Sequence, residues 1–475
     1  MEKILPKIEK TALLNIFSKQ RINQYRIAQS NAETRIVKLK TLREYLLTHV
    51  DEACEATRLD FQKPAAETII GEILVLISEV NYAIKNLSRW MKPQRQATQF
   101  TAIGTTSYIQ FEPKGCSLII APWNYPINLA LKPLISAISS GCVAIIKPSE
   151  MTPHSSAFVK KLVSEVFSPD EVTVIEGDVE VATELLKLPF NHIFFTGSPT
   201  VGKIVMKAAA ENLVSVTLEL GGKSPSIVDE TADIATTARR ITWAKFFNNG
   251  QTCIAPDYIL VQETVHDKLI LEIKKAITEM YDQDGKGVAF SQSYGRIVNV
   301  KHHKRLAAYL LDAIEKGGSI AAGGDSGEEE RYFAPTVITG VQNSMQVMQE
   351  EIFGPILPVI KYQNIEEAVN FVNSKEKPLA LYIHSGSNKN SDFILKNTSA
   401  GNALVNELLT QFGNPEIPFG GVNNSGIGKS NGFYGFQEFS NAKGVMKRRF
   451  GTMKFLHPPY SDRFVRLLKK GLKWI

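Results

Sequence analysis

Two side chains able to do covalent chemistry stand in Gly-flanked turns of this chain. Cys253 closes the run Asn248-Asn249-Gly250-Gln251-Thr252-Cys253, and Glu219, thirty-four positions upstream, opens Glu219-Leu220-Gly221-Gly222-Lys223-Ser224-Pro225. A thiol attacks a carbonyl carbon only as thiolate, and its ordinary pKa is ~8.5. A carboxylate that accepts the proton, directly or through water, would make it a nucleophile. Spacing alone does not establish the pair, because an isolated cysteine is ordinarily an inert, buried, small hydrophobe. The elements that must position the two residues decide between these readings.

From Cys116 to Leu218 short apolar runs alternate with amphipathic stretches. Cys116 to Ile120, Cys142 to Ile146, Val172 to Ile175, His192 to Phe195 and Val214 to Leu218 are expected to be buried strands with helices between them. Strands this continuously apolar imply a parallel sheet covered on both faces, the doubly wound α/β arrangement, in which ligands bind beyond the carboxyl ends of the strands. At the fourth such end, Gly197 and Ser198 open the helical pattern that contains Gly202. Gly197 suits a tight turn, and Ser198 suits a helix cap whose neighbouring amides attract phosphate; a plain capped helix start would look the same. After the second strand, Lys147 and Glu150 fit either a ribose diol or a solvated charge pair beside Pro148. After the first, Asn124 lies among Pro122, Trp123, Tyr125 and Pro126, placed either to donate to a developing oxyanion or to form an Asx turn.

Together these strings resemble the NAD(P)-dependent aldehyde dehydrogenase superfamily, and within it the class 3 group that includes fatty aldehyde dehydrogenases. The resemblance rests on Pro122-Trp123-Asn124-Tyr125-Pro126, Lys147-Pro148-Ser149-Glu150, Phe195-Thr196-Gly197-Ser198, Leu218 to Pro225, Gly250 to Tyr258, Glu350-Glu351-Ile352-Phe353-Gly354-Pro355 and Pro418-Phe419-Gly420-Gly421. It implies Cys253 as nucleophile, Glu219 as base and Asn124 as oxyanion donor. It further implies Lys147 and Glu150 at the adenosine ribose, Ser198 at the pyrophosphate, and Glu351 and Phe353 at the nicotinamide riboside. The implied reaction oxidises an aldehyde, medium- or long-chain aliphatic or aromatic, to its carboxylic acid through a thioester, with NAD or NADP as cofactor. Asn423 stands where the family typically has Gly, and Asn tolerates left-handed backbone better than most residues.

The expected organisation is a cofactor-binding domain over 1–92 and 113–219 and an α/β catalytic domain over 220–405 with a returning loop over 406–430. An oligomerisation arm over 93–112 and 431–455 follows from the resemblance, as does a homodimer, and 456–475 forms a basic tail. Helices are expected up to about Met91, an exposed strand pair over Phe100 to Phe111, another strand near Ala442 to Arg449, and a polar loop over Asp325 to Glu330. At 475 residues the chain is long enough for more than one core. Cys54, Cys116, Cys142 and Cys253 show neither disulfide nor metal spacing, so a reducing, cytoplasmic setting without a metal site is expected. His302-His303 reads as a surface pair. The amino terminus lacks an apolar signal core, and prolines and polar residues between Cys116 and Ile146 argue against a spanning helix.

Charge is concentrated at one end. Lys443 to Ile475 carries ten Lys or Arg against Asp462 alone, a net +9, so the other 442 residues of this +6 chain sum to −3. Within it, Ser461 precedes a helical pattern with Phe464, Val465, Leu468, Leu472 and Ile475 on one face and Arg463, Arg466, Lys470 and Lys473 on the other. Such a helix, with Trp474 near its end, suits the inner, anionic face of a membrane, a lid over a greasy substrate funnel, or docking on the protein's own surface. Trp123, Tyr125, Phe246 and Phe247 are candidates for that funnel. No nucleic-acid module accompanies the charge. A cofactor-independent thiol hydrolase would leave Lys147, Glu150, Gly197 and Glu351 unexplained, and a catalytically silent scaffold would not need Cys253, Glu219 and Asn124 intact. Transfer of the acyl group to coenzyme A would need Glu219 less than hydrolysis does.

Overall fold

The computed structural model describes residues 10–99, 102–451 and 457–472. They form two compact units, one drawn from Met1–Trp90 and Glu112–Asn441, the other from Met91–Phe111 and Ala442–Ile475.

The larger unit contains two sheets. In the first, the order is Gly426–Ile427, Ser215–Leu220, His192–Gly197, Cys116–Ile120, Val143–Lys147, Val172–Val174. All neighbours are parallel except the short edge strand Gly426–Ile427, which runs antiparallel to Ser215–Leu220. Every residue of Cys116–Ile120 and Val143–Lys147 is buried, as continuous apolar runs demand in a sheet covered on both faces. The chain winds outward from Cys116–Ile120 to Val172–Val174, then returns to the other side as His192–Gly197. That reversal opens a crevice between the loops that follow Ile120 and Gly197, the switch point at which doubly wound sheets bind ligands.

Between Leu220 and Pro225 the chain passes into the second sheet, ordered Ser319–Ala322, Thr336–Thr339, Ile356–Tyr362, Tyr258–Gln262, Pro225–Val228, Ala380–His384, Asn402–Val405. Only Ser319–Ala322 is antiparallel to its neighbour. Separate apolar clusters cover its two faces, one built on Ile259, Val261 and Tyr382, the other on Tyr258, Leu260 and Ile383. The polar loop expected over Asp325 to Glu330 is partly ordered, since Ser326–Gly327 pairs with Tyr332–Phe333.

Helices Lys10–Ala28, Ala32–Thr48 and Val50–Phe61 precede a continuous helical run from Ala65 to Trp90, interrupted by a π turn at Ile69–Ile73. The smaller unit holds a three-stranded sheet in the order Gln94–Gln96, Thr105–Pro113, Ser440–Arg448, whose first two strands pair antiparallel. Phe100, expected to begin the strand pair, lies outside the described residues. Ser461 caps the helix Asp462–Gly471, its hydroxyl accepting the Phe464 N–H at 3.2 Å. Val465, Leu468 and Leu472 are all exposed along it. Lys473, Trp474 and Ile475, assigned to the same helix from sequence, lie outside the described residues.

Candidate active site

The nucleophile turn begins where the helix Ile234–Phe246 ends. Asn248, Asn249 and Gly250 follow in left-handed backbone, with φ of 52°, 57° and 72°. Two asparagines and a glycine are the residues that accept this conformation at least cost. A Cβ on Gly250 would stand 2.4 Å from the Gly354 carbonyl oxygen, so this turn packs against the backbone just after Phe353. Gln251 pins the next residues: its amide donates to the Asn248 and Arg296 carbonyls at 3.1 and 3.0 Å, and its side-chain oxygen accepts the Val298 N–H at 2.9 Å. Asn124 Nδ2 donates to the Gln251 carbonyl at 3.0 Å, and Asn248 Nδ2 donates to the Asn124 carbonyl at 2.9 Å. The oxyanion candidate and the nucleophile loop are thus tied together by reciprocal amides.

Glu219 lies near the end of Ser215–Leu220. Its Oε1 accepts the Ser430 hydroxyl at 3.0 Å, while its buried Oε2 has no partner. Burial pushes the Glu219 carboxyl up to about 8, opposed by the Ser430 hydroxyl and by the cations of Lys429 and Lys132. Glu351 is likewise pushed up to about 8, first by burial and then by Asp257, and it accepts a backbone N–H from Gly222. A Cβ on Gly221 would fall 2.0 Å from Glu351 Oε2, which is why that position must be bare. Burial raises the Cys253 thiol far above its usual range, with Glu351 and Glu219 adding to the effect and the amides of Cys253 and Ile254 opposing it. Burial thus disfavours the charged form of all three groups.

Cys253 and Glu219 line two cavities. One, of about 990 Å³, is also walled by Asn124, Gly197, Ser198, Glu351 and Phe353. The N-terminus of the helix Pro199–Ala210 faces it, and Ser198 caps that helix, accepting the Val201 N–H at 3.4 Å. Phe353, at φ 46°, is held edge-on against Trp123 with centroids 5.2 Å apart. The other cavity, of about 580 Å³, is mainly apolar, with Ile70, Leu74, Tyr125, Trp243, Phe247 and Phe412 in its wall. Of the funnel candidates, Tyr125 and Phe247 are here; Trp123 lines the first cavity instead, and Phe246 is fully buried in the core.

Three predicted cofactor residues are not in either wall. Lys147 Nζ, buried, donates to Glu150 Oε2 at 2.6 Å beyond the strand end Val143–Lys147. Gly202 serves packing: a Cβ there would meet Leu220 Cδ2 at 2.7 Å. Gly197 lines the cavity, but its need for glycine comes from the Phe195 ring, 2.5 Å from where a Cβ would sit, rather than from a left-handed turn. Asn423 has φ 55°, left-handed backbone that an Asn side chain tolerates. The His302-His303 surface pair is corrected. His303 is buried with Nε2 3.0 Å from the Tyr332 carbonyl. His302 lines the larger cavity against Trp123, where burial and then Arg305 push it down to about 4.

Ser430, Lys132, Gln251 and Asn248 were given no role from sequence. Gln251 and Asn248 sat inside the Cys253 string, where amide side chains next to a forced turn are a usable signal. Ser430 and Lys132 reach the site only through long-range folding.

An aldehyde dehydrogenase family model matches residues 6–445. The chain is 44% identical over 427 residues to 4,4'-diaponeurosporen-aldehyde dehydrogenase of Staphylococcus aureus, covering 90% of this chain and 92% of that one. It is 40% identical over 431 residues to aldehyde dehydrogenase family 3 member A2 of Pongo abelii, covering 90% and 87%. A solved substrate-bound state of Staphylococcus aureus AldH superposes with a TM-score of 0.91 at 41% identity, covering 97% of this chain and 99% of that one. The chain belongs to the aldehyde dehydrogenase family, with class 3 members among its relatives, and is an NAD(P)-dependent enzyme that oxidises aldehydes.

Proposed function

We propose that the chain oxidises medium- or long-chain aliphatic or aromatic aldehydes to carboxylic acids, with Cys253 as nucleophile, Asn124 as oxyanion donor and Glu219 as hydrolytic base. One observation carries this reading: Cys253 and Glu219 stand on a wall common to an apolar cavity and a more polar one. The more polar cavity suits a dinucleotide, since a helix N-terminus meets it at Ser198 and the half-buried Glu351 lines it. Glu351 and Phe353 would hold the nicotinamide riboside, Ser198 the pyrophosphate, and Lys147 and Glu150 the adenosine ribose. The bound cofactor supplies the hydride acceptor. On this reading the first sheet, with 1–92 and 113–219, is the cofactor domain and 220–405 the catalytic domain.

Cys253 gives its proton to the ionised fraction of Glu219 or of Glu351 and adds to the aldehyde carbon, whose carbonyl oxygen takes up the electron pair. Of the two N–H groups of Asn124 Nδ2, one holds the Gln251 carbonyl and the second serves the new oxyanion, with the Cys253 amide as the other donor. Loss of hydride leaves a thioester on Cys253. Glu219 then takes a proton from water, which attacks the thioester carbonyl and releases the acid and the thiol. The experiment is absorbance of the reduced nicotinamide across acetaldehyde, hexadecanal and benzaldehyde with NAD and with NADP. Turnover rising with apolar size supports the reading, and turnover confined to acetaldehyde opposes it.

Only ionised Glu219 is a base, so hydrolysis gains as pH rises through about 8 and is lost as pH falls below it. Ser430→Ala removes a donor to the ionised form and must move that limb to higher pH. A hydrogen bond to a charged group is worth about 1.5–3 kcal/mol, so turnover at pH 7 should fall about ten- to hundredfold and recover only as pH rises through about 9–10. A pH–rate profile of the two proteins checks this.

The homodimer is inferred from the smaller unit, where Ser440–Arg448 is an edge strand with mostly exposed residues; light scattering tests it. Membrane contact is inferred from the exposed Val465, Leu468 and Leu472 beside the tail's cations. No helix among the described residues is long and apolar enough to cross a membrane, so contact would be peripheral. The full chain should pellet with anionic vesicles and a chain ending at Tyr460 should not; equal pelleting would defeat the idea.

A further inference from the structure

Behind the two catalytic loops lies a buried ionic cluster that the mechanism does not use. Glu67 lies just before the π turn Ile69–Ile73, and Glu72 lies within it. In a regular α-helix residues five apart point about 140° away from one another, whereas the wider i→i+5 turn brings them toward one side. Glu72 Oε2 accepts the backbone N–H groups of Ile127 and Asn128 at 2.8 and 3.2 Å, just past Asn124. Its Oε1 receives Lys63 Nζ at 2.8 Å, both side chains fully buried, and that cation lies 4.0 Å from the centre of the Tyr125 ring. Glu67 Oε2 accepts the Asn248 N–H at 2.8 Å, at the start of the left-handed turn before Cys253.

The loops are joined to each other above this cluster. The Tyr125 hydroxyl is 2.7 Å from Thr252 Oγ1, next to Cys253. Gly71 lets the Tyr125 ring lie on the helix, since a Cβ there would be 2.9 Å from Tyr125 Cε1. Asn128 Nδ2 donates to the Gly71 carbonyl at 2.9 Å. Buried ions are a poor source of stability compared with apolar residues of the same volume, and Glu67 has been pushed up to about 7 by its burial. What the carboxylates provide is a fixed acceptor for a particular backbone N–H in each loop.

We propose that Glu67 and Glu72 are positioning residues that clamp the Asn124 loop and the Cys253 turn to one helix, setting the distance between oxyanion donor and nucleophile. This rests on the catalytic reading above. The test uses the full-length Glu67→Gln, Glu67→Ala and Glu67→Asp proteins. Gln retains an oxygen that can accept the Asn248 N–H; Ala has none, and Asp is one methylene too short. The expected result is a ten- to hundredfold fall in kcat for Ala and Asp, KM for the cofactor within twofold of the parent, and near-parental kcat for Gln. Hydrogen exchange, measured without cofactor or aldehyde, should speed at least tenfold in both 122–128 and 247–253 for Ala and Asp. If Ala does not fold, Asp gives the same answer. The clamp is overturned if kcat stays within twofold in Ala and Asp, if Gln is as impaired as Asp, or if exchange changes only within 65–73. An enzyme inactive with every aldehyde would remove the catalytic reading, and the exchange result would still decide the clamp.

Discussion

Cys253→Ala is expected to abolish aldehyde-dependent cofactor reduction, by at least about 10⁴-fold in kcat, because loss of a covalent nucleophile removes the reaction path rather than one contact within it. Binding should survive. Alanine removes one sulfur from a wall that contains Asn124, Ser198, Glu351 and Phe353 as well, so cofactor titration monitored by fluorescence should give a Kd within about threefold of the parent. The turn should survive too, because Asn248, Gln251 and Asn124 hold it without using the sulfur. The variant should also lose one neighbour that raises the Tyr125 hydroxyl, a minor cause beside burial and Glu67. A loss of turnover accompanied by an equal loss of cofactor binding would point to a collapsed site instead.

Glu219→Gln separates the two halves of the reaction. The amide keeps the shape of the carboxyl and can still accept from Ser430, but it cannot take a proton from water. Thioester hydrolysis should therefore slow by about 10²- to 10⁴-fold, the usual contribution of a positioned base. If a second base takes the Cys253 proton, the first turnover remains and stopped-flow absorbance shows a burst of about one reduced cofactor per site before a slow phase. Glu351 is the candidate for that role, since it lines the same cavity wall as Cys253. If Glu219 itself takes the proton, the burst is slowed in step with turnover. The variant should also gain stability at high pH relative to the parent. The Glu219 carboxyl is raised from 4.5 to about 8, so the parent loses stability as pH rises from about 4.5 through 8, and an amide has no such dependence.

The cofactor sheet was legible because its strands are buried on both faces, so their apolar runs are unbroken by polar positions. Cys116–Ile120 matches its predicted bounds, and the other four strands shift by a residue or two. The turns around Cys253, Glu219 and Glu351 were legible because glycine and asparagine must be there: Gly221 gives Glu351 its place, and Asn248 and Asn249 accept positive φ. Glu67, Glu72 and Lys63 were not, since charged residues in or just before an amphipathic stretch look like a solvated face, and their partners at Ile127 and Asn248 are far away in sequence. His302 and His303 failed for the same reason: adjacency in sequence says nothing about which side of Val300–Glu315 meets Trp123 and Phe333. Ser430 reaches Glu219 from 211 positions away, with no local pattern to announce it.

The central claim is that Cys253 carries the acyl group and Glu219 releases it. Glu219→Gln mixed with NAD and hexanal, quenched in acid within the first turnover and examined by peptide mass spectrometry, tests this directly. The account predicts a hexanoyl adduct on the peptide containing Cys253, absent when NAD is omitted and far weaker in the parent. One equivalent of reduced cofactor formed with Cys253 unmodified would contradict it.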